Sequence, residues 1–199
     1  MVKLWTTSDW LRPALEPLST LHTLPAAAPQ EMPAVLEALA QASGAPDAIL
    51  ISPRWPPRPP RHIELKQGPP VPWEPDMASL EDDAAWEEVI AGGLKTPWFW
   101  LIHGLRLLER RGQGSVVVVV PRRAPPQLEG PDEATIRATL KGFVRTTAER
   151  VRGTGLRVNL LELHQGGLDA ASAQLVVSLA SQETAALSGQ ILTASSRAR

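Results

Sequence analysis

Glu162 and His164 form the best local candidate for a chemical site in this sequence, because they lie two residues apart at the end of an apolar run. A carboxylate and an imidazole can both accept and donate protons, and α/β folds place their ligands at the carboxyl ends of strands. His22 and His62 lie in loop-like contexts, and His103 lies in an apolar helix. A structural role is more common than catalysis in such places, so we predict that none of these three is catalytic.

Other reaction chemistries are missing from the chain. It contains no cysteine, so neither a disulfide nor a thiolate nucleophile is available. Its histidines and acids form no closely spaced group of the three or four ligands that zinc requires, and we expect no metal. It also contains no Gly-x-Ser-x-Gly sequence and no phosphate-binding loop.

Composition limits the partners and the location. The chain has 199 residues, with 20 basic and 21 acidic residues, so it lacks the positive field that nucleic-acid binders carry. No stretch approaches the length of a membrane span, and the first ten residues lack the apolar core of a signal peptide. We expect one cytoplasmic domain over residues 1–199, with no nucleic acid and no membrane as partner.

The order of apolar segments predicts an α/β fold. Runs of strand length alternate with longer segments of helical period, as in parallel-sheet proteins. The five valines at 116–120 give the firmest strand, because β-branched residues without polar alternation suit burial on both faces. We predict strands at 2–6, 18–24, 48–52, 116–120, 157–161 and 191–194, and helices at 9–16, 30–43, 82–111, 131–152 and 169–182.

Prolines and glycines set the boundaries of these segments. Pro131 suits the start of its helix, Gly112 suits the end of another, and Pro97 should kink the 82–111 helix or divide it in two. Residues 53–75 hold nine of the twenty prolines, so neither a helix nor an inner strand can continue there. We predict an extended loop over residues 53–80, which is either a plain surface loop or a partner-binding arm.

Several stretches, in this order, carry a resemblance to a known family. They are Asp-Ala-Ile-Leu-Ile-Ser-Pro-Arg at 47–54, Trp-Glu-Glu-Val-Ile-Ala-Gly-Gly-Leu at 86–94, Gly-Gln-Gly-Ser-Val-Val-Val-Val-Val-Pro at 112–121, Leu-Lys-Gly-Phe-Val-Arg-Thr-Thr-Ala-Glu-Arg-Val-Arg-Gly-Thr-Gly-Leu-Arg-Val-Asn at 140–159 and Leu-Ala-Ser-Gln-Glu-Thr-Ala-Ala-Leu-Ser-Gly-Gln-Ile-Leu at 179–192. The stretch at 140–159 is the most specific of them. Together they resemble the classical short-chain dehydrogenase/reductases. The resemblance implies a truncated Rossmann-like fold, which is a doubly wound parallel sheet flanked by helices.

The same resemblance implies that the family's catalytic groups are replaced. The family's proton donor is a tyrosine in a Tyr-x-x-x-Lys motif, and this chain has no tyrosine. The tyrosine and lysine positions fall at Glu133 and Arg137. The family's helix asparagine falls at Gly93, and its serine falls at Val120 or Pro121. A carboxyl group cannot replace a phenol as proton donor at neutral pH, so we predict no hydride-transfer activity.

The cofactor side departs from the family as well. The family's Gly-x-x-x-Gly-x-Gly loop lets backbone amides approach a pyrophosphate, but the first glycine here is Gly44. The turn after the first predicted strand reads Thr-Thr-Ser-Asp-Trp-Leu-Arg-Pro, and its acid would repel phosphate. Ser52, Pro53 and Arg54 stand where the family has Asn-Ala-Gly. We expect no nicotinamide cofactor and no other cofactor.

The helix around residues 98–108 predicts a protein partner. It reads Trp-Phe-Trp-Leu-Ile-His-Gly-Leu-Arg-Leu-Leu, which is apolar around nearly its whole circumference and must be covered on two sides. The sheet covers one side, and a partner is expected on the other. In the family that the chain resembles, this helix and the next form a four-helix dimer interface. The predicted interface residues are Trp98, Trp100, Leu101, Leu105, Leu108, Phe143 and Arg145.

Three hypotheses about function follow. The first is a non-catalytic subunit that pairs through its two long helices with an active short-chain dehydrogenase/reductase or another enzyme. The second is a remodelled enzyme or small-molecule binder that uses Glu133, Arg137 and His164. The third is a homodimeric scaffold that contacts a larger complex through its proline-rich loop. The first accounts best for lost cofactor residues beside retained interface residues, and the sequence does not distinguish a homodimer from a heteromer.

Overall fold

A computed structural model describes residues 2–25, 27–28, 30–54, 83–122, 131–163 and 168–194 of the chain. Nearly all of the predicted proline-rich loop lies outside these residues. His62 and His164, two of the predicted candidates for chemistry, also lie outside them.

Six parallel strands form one sheet in the order β2-β1-β3-β4-β5-β6. The strands are β1 (Val2–Thr6), β2 (Ser19–Thr23), β3 (Ala48–Ile51), β4 (Gly114–Pro121), β5 (Leu156–Leu163) and β6 (Ile191–Ala194). Every predicted strand is confirmed. β4 and β5 are longer than predicted because they pair with each other along their whole length, from Gly114 opposite Leu156 to Pro121 opposite Leu163.

Helices cover both faces of the sheet. They are α1 (Arg12–Leu15), α2 (Met32–Ser43), α3 (Asp83–Ile90), α4 (Thr96–Arg111), α5 (Pro131–Arg150) and α6 (Ala170–Ala180). Side chains of α2, α4 and α5 join the core on one face, and side chains of α1 and α6 join the core on the other. The predicted α/β class and the doubly wound, Rossmann-like arrangement are therefore confirmed.

β4 holds the two layers of the core together. Val116, Val118 and Val120 pack into the layer of α4 and α5, whereas Val117 and Val119 pack into the layer of α6. This division follows from the alternation of side chains along a strand. Each buried valine side chain contributes up to about 1.5–3 kcal/mol of hydrophobic stabilisation, so this run fixes the middle of the sheet.

The long helix predicted at 82–111 is divided, as the proline in it suggested. α3 passes into one π-helical turn (Ala91–Lys95), and α4 then begins at Thr96 with Pro97 in its first turn. A proline ring clashes with the carbonyl four residues earlier, and a widened turn is one way for a helix to accommodate it. The π turn therefore sits immediately before Pro97, and it contains Gly92 and Gly93.

The helix ends agree with the predicted signals. Gly112 follows α4 with a φ of 76°, and its amide donates to the carbonyl of Glu109 at 2.9 Å. Pro131 is the first residue of α5. The carboxylate of Asp169 accepts from the amide of Ser172 at 2.8 Å and caps the start of α6. In the described part of the chain, no helix is both long enough and apolar enough to cross a bilayer.

Candidate functional site

The carboxyl end of β5 carries a buried charge cluster. Glu162 is 8% exposed, and its Oε1 lies 3.2 Å from Nε of Arg137 and 2.8 Å from Nζ of Lys141. These are ion-pair distances, although neither cation approaches Oε1 in the direction of a hydrogen bond. We interpret the contact as an ion cluster, because charge attraction depends on distance more than on direction. The cluster ties α5 to the end of β5.

Two of the three residues predicted for a residual pocket, Glu133 and Arg137, lie in the described part of the chain. Glu133 lies one helical turn before Arg137 on α5 and is buried, so it shares a face with the cluster. His164 lies outside the described residues. Lys141 joins the cluster, although no local sequence pattern pairs it with Glu162. Its spacing from Arg137, one helical turn, is the signal that could have indicated a shared anion.

Replacing Glu162 with glutamine should lower the free energy of unfolding by about 1–3 kcal/mol. The amide keeps the shape of the side chain but removes the negative charge that Arg137 and Lys141 share. Lys141 is 33% exposed, so solvent reduces the loss below that of a fully enclosed pair. Urea unfolding followed by circular dichroism measures the change.

Glu149→Gln is the matched control for that substitution. Glu149 pairs with Arg152 on the surface, where both side chains are mostly exposed. Its replacement should change the free energy of unfolding by less than about 0.5 kcal/mol. Equal losses for the two variants would mean that the cluster at Glu162 contributes nothing beyond a surface ion pair.

The two glycines of the π turn are close-packing positions. A Cβ built on Gly93 would overlap Cδ1 of Ile136 and lie 3.2 and 3.3 Å from its Cγ1 and Cγ2. A Cβ built on Gly92 would lie 2.5 Å from the carbonyl oxygen of Arg54. The amide of Arg54 donates to the carbonyl of Gly92 at 3.1 Å. Because of these contacts, α5 and the chain after β3 both pack directly against the π turn.

The turn after β1 uses its own backbone amides. The amide of Thr7 donates to the carbonyl of Leu50 at 3.0 Å, and the amide of Ser8 donates to the hydroxyl of Thr6 at 3.2 Å. One 3-10 turn (Asp9–Leu11) and the four-residue α1 follow. The carboxylate of Asp9 stands at the start of this turn and accepts from the hydroxyl of Thr23 at 2.9 Å.

A cleft of about 880 Å³ opens at the carboxyl ends of β1, β2 and β3. The strand order reverses between β1 and β3, and this reversal is where open α/β sheets place their ligands. The walls come from residues 7–10, 23–25 and 52–54, and from α3 and the π turn. Pro121, one of the two serine positions that the resemblance implies, also lines the cleft. Glu133 and Arg137 do not line it, so the cleft and the charge cluster are separate features.

The predicted interface residues divide between the core and the surface. Trp100, Leu101, Leu105 and Leu108 are at most 6% exposed and pack in the core beneath α4. They are therefore not available to a partner, contrary to the expectation from the sequence. The reason is that α4 turns this face toward the sheet, where Gly104 lets it approach Ile49 closely. Of the seven predicted residues, Trp98, Phe143 and Arg145 reach the surface.

The apolar side chains that α4 and α5 leave partly exposed are Trp98, Phe99, Ile102 and Phe143, and we call this set the α4–α5 surface. Trp98 and Phe143 join the two helices, with ring centroids 4.6 Å apart. Sequence reasoning missed Phe99 and Ile102. The adjoining exposed face of α5 is formed by small uncharged residues, which are Thr135, Ala138, Gly142 and Thr146.

The two described histidines have structural positions. His22 lies within β2, opposite Trp5 of β1, as the strand predicted at 18–24 implies and contrary to its assignment to a loop-like context. His103 stacks on Phe99 with ring centroids 6.2 Å apart. Burial, and to a lesser degree the charge of Arg106, lower the pKa of His103 below its ordinary value. In the described part of the chain, no three histidines or acids come close enough together to hold a metal ion.

Comparison with known proteins identifies the fold. No protein-family model matches the sequence, and no curated protein matches it significantly. The chain is similar to the solved structure of a 3-ketoacyl-ACP reductase from Sinorhizobium meliloti, with 16% identity and a TM-score of 0.68 over 93% of this chain and 82% of that chain. It is also similar to aldohexose dehydrogenase from Thermoplasma acidophilum, with 12% identity and a TM-score of 0.72 over 98% and 92% of the two chains.

A third similar structure carries the family name. It is a protein from Burkholderia xenovorans assigned as a short-chain dehydrogenase/reductase, with 16% identity and a TM-score of 0.64 over 88% of this chain and 73% of that chain. At such identities the likeness concerns the fold alone. The fold is therefore that of the short-chain dehydrogenase/reductases, as the sequence resemblance implied, and it extends over the N-terminal part of the chain that the resemblance did not include.

Proposed function

We propose that this chain is a non-catalytic subunit with a short-chain dehydrogenase/reductase fold, which pairs through α4 and α5 with an active enzyme of that fold. One observation carries the proposal. At Gly93, where the resemblance places the family's helix asparagine, Ile136 occupies the space of a side chain. A glycine could by itself be changed back to asparagine. Here the side chain of Ile136 fills the space that the asparagine would need, so restoring it would require Ile136 or the π turn to move.

The other implied catalytic positions support the same proposal. Val120 is buried and apolar, and Pro121 has no side chain that could hydrogen-bond a substrate. Arg137, at the lysine position, lies in the ion cluster with Glu162. The chain has no tyrosine whose hydroxyl this cation could activate. Each position therefore serves packing or charge balance in place of proton transfer.

The turn after β1 supports the loss of cofactor binding. A dinucleotide site needs free amides at a helix N-terminus for its pyrophosphate. Here the amides of Thr7 and Ser8 are already hydrogen-bonded within the protein. The helix that follows is only four residues long, so its dipole is weak. Asp9 adds a negative charge where a phosphate would have to approach.

The α4–α5 surface supports the pairing. It combines three apolar side chains of α4 with Phe143, and the exposed face of α5 beside it has no charge from Thr135 to Gly142. Aromatic side chains without charged neighbours are typical of the centre of a protein–protein interface. Arg145 lies at the edge of this face, where a charged residue would form part of a polar rim.

The test is native mass spectrometry of the tagged full chain captured from its source cells, with subunit masses and bound nucleotide read together. The proposal expects a second, longer subunit of the same fold that carries the nicotinamide cofactor. Copurification alone is not sufficient, because the complex must also dissociate when the α4–α5 surface is altered. A homodimer without nucleotide would favour the scaffold, and a monomer would contradict pairing altogether.

The isolated chain should bind neither NADH nor NADPH with a Kd tighter than about 1 mM. The helix after β1 is only four residues long and the carboxylate of Asp9 precedes it, so we expect only weak contacts with the nucleotide. Isothermal titration calorimetry measures the binding, and an active reductase of the same fold serves as the positive control. Micromolar binding of either nucleotide to the isolated chain would contradict the proposed loss of cofactor binding.

A further inference from the structure

The cleft at the carboxyl ends of β1, β2 and β3 has the size of a small-molecule site. Its volume of about 880 Å³ lies within the range of roughly 300–1,000 Å³ that ligand pockets occupy. Ser52 and Trp100 line it and are nearly fully buried, at 5% and 3% exposure. Hydroxyl groups and an indole therefore face the same space, as in sites that fix a ligand by a few polar contacts within apolar walls.

Among the residues that the structure describes, the charged groups that line the cleft are two carboxylates and one guanidinium. Asp9 belongs to the turn after β1, Glu88 belongs to α3, and Arg54 follows β3. Asp9 accepts a hydrogen bond from Thr23, and neither carboxylate forms an ion pair with another described residue. Because two anions outnumber one cation among the described lining residues, their charges favour a cation over phosphate.

Trp10 adds an aromatic side chain to the lining of the cleft. Its side chain is 39% exposed and lines the cleft, although a large indole gains from being covered. An indole and carboxylates that line the same cleft can together bind an organic ammonium group, through cation–π attraction and charge.

We propose that this cleft binds a small organic molecule that carries an ammonium group, with Trp10 against the apolar part or the cation and with Asp9 and Glu88 as counterions. Ser52 supplies a polar contact at the floor of the cleft. The cleft lies away from the α4–α5 surface. Ligand binding and subunit pairing can therefore be tested, and can fail, separately.

The test titrates the full chain with spermidine and with choline by isothermal calorimetry, beside inorganic phosphate and NADP⁺. At least one of the two cations should bind with a Kd of about 1 mM or tighter. Asp9→Asn and Glu88→Gln, which keep side-chain shape at exposed positions, should each weaken that binding about tenfold. Trp10→Leu should weaken it as well, whereas phosphate and NADP⁺ should not bind.

Glu109→Gln is the matched control, because Glu109 is an exposed carboxylate of α4 that does not line the cleft. It should leave the affinity unchanged. Equal weakening by Glu109→Gln would indicate adsorption of cations to the surface and would overturn the proposal. The proposal would also be overturned if neither cation bound, or if NADP⁺ bound more tightly than either cation. Unchanged affinity in the Asp9, Glu88 and Trp10 variants would overturn it as well.

Discussion

Ile102→Glu is expected to abolish the association of this protein with its partner, weakening the complex by at least about 100-fold. Ile102 lies on the α4–α5 surface, beside Trp98 and Phe99. If a partner covers this surface, the introduced carboxylate loses its water without gaining a counterion, and an unpaired buried charge costs several kcal/mol. Size-exclusion chromatography with light scattering, together with native mass spectrometry, measures the loss of the complex.

Leu187→Glu is the matched control for the interface. Leu187 is 38% exposed and lies between α6 and β6, away from the α4–α5 surface. The same change of an exposed leucine-sized side chain to a carboxylate should leave the complex intact there. Leu187→Glu should unfold at the wild-type urea concentration and Ile102→Glu close to it, because Leu187 is exposed and Ile102 is partly exposed in the isolated chain. A complex that survives Ile102→Glu would place the partner on another surface.

The fold could be predicted from the sequence because its signals are local. The valine run of β4 has no polar alternation, which only a strand buried on both faces tolerates. Pro97 marks the division of the long helix, and Gly112 marks its end. These signals depend on backbone chemistry within a few residues, so they indicate where each element lies without knowledge of the tertiary contacts.

The orientation of α4 could not be predicted in the same way. Its sequence is apolar around nearly the whole helix, so periodicity does not distinguish the face toward the sheet from the face toward a partner. The choice is made by the contact of Gly104 with Ile49 and by the position of Trp98 against Phe143. Both contacts join residues far apart in the chain, and this is why Leu101 and Leu105 were expected at an interface.

The charge cluster and the hydrogen bonds of the amides after β1 could not be predicted from the sequence, because they too depend on tertiary contacts. Arg137 and Lys141 share one carboxylate only because α5 packs beside the end of β5. The sequence predicted an acid that repels phosphate after β1. It did not indicate that the amides of Thr7 and Ser8 are already hydrogen-bonded, since Thr7 pairs with Leu50 of another strand.

Gly93→Ala is expected to lower the free energy of unfolding by about 2–3 kcal/mol. Helix propensity alone would give the opposite sign, because alanine is favoured over glycine by about 0.5–1 kcal/mol. The added Cβ, however, overlaps Cδ1 of Ile136 and lies 3.2 and 3.3 Å from its Cγ1 and Cγ2. Either Ile136 or the π turn must move, and urea unfolding measures the cost.

Gly142→Ala and Ile136→Val show whether that contact is the cause. Gly142 has no atom within 4 Å of an added Cβ, so alanine there should stabilise by about 0.5–1 kcal/mol. Ile136→Val removes Cδ1, the overlapping atom, and should cost about 0.5–1.5 kcal/mol alone while recovering most of the loss caused by Gly93→Ala. If Gly93→Ala were instead as stable as the wild type, the π turn would have room for a side chain. The helix asparagine of an active enzyme could then be restored at position 93, and the strongest argument for a non-catalytic subunit would fail.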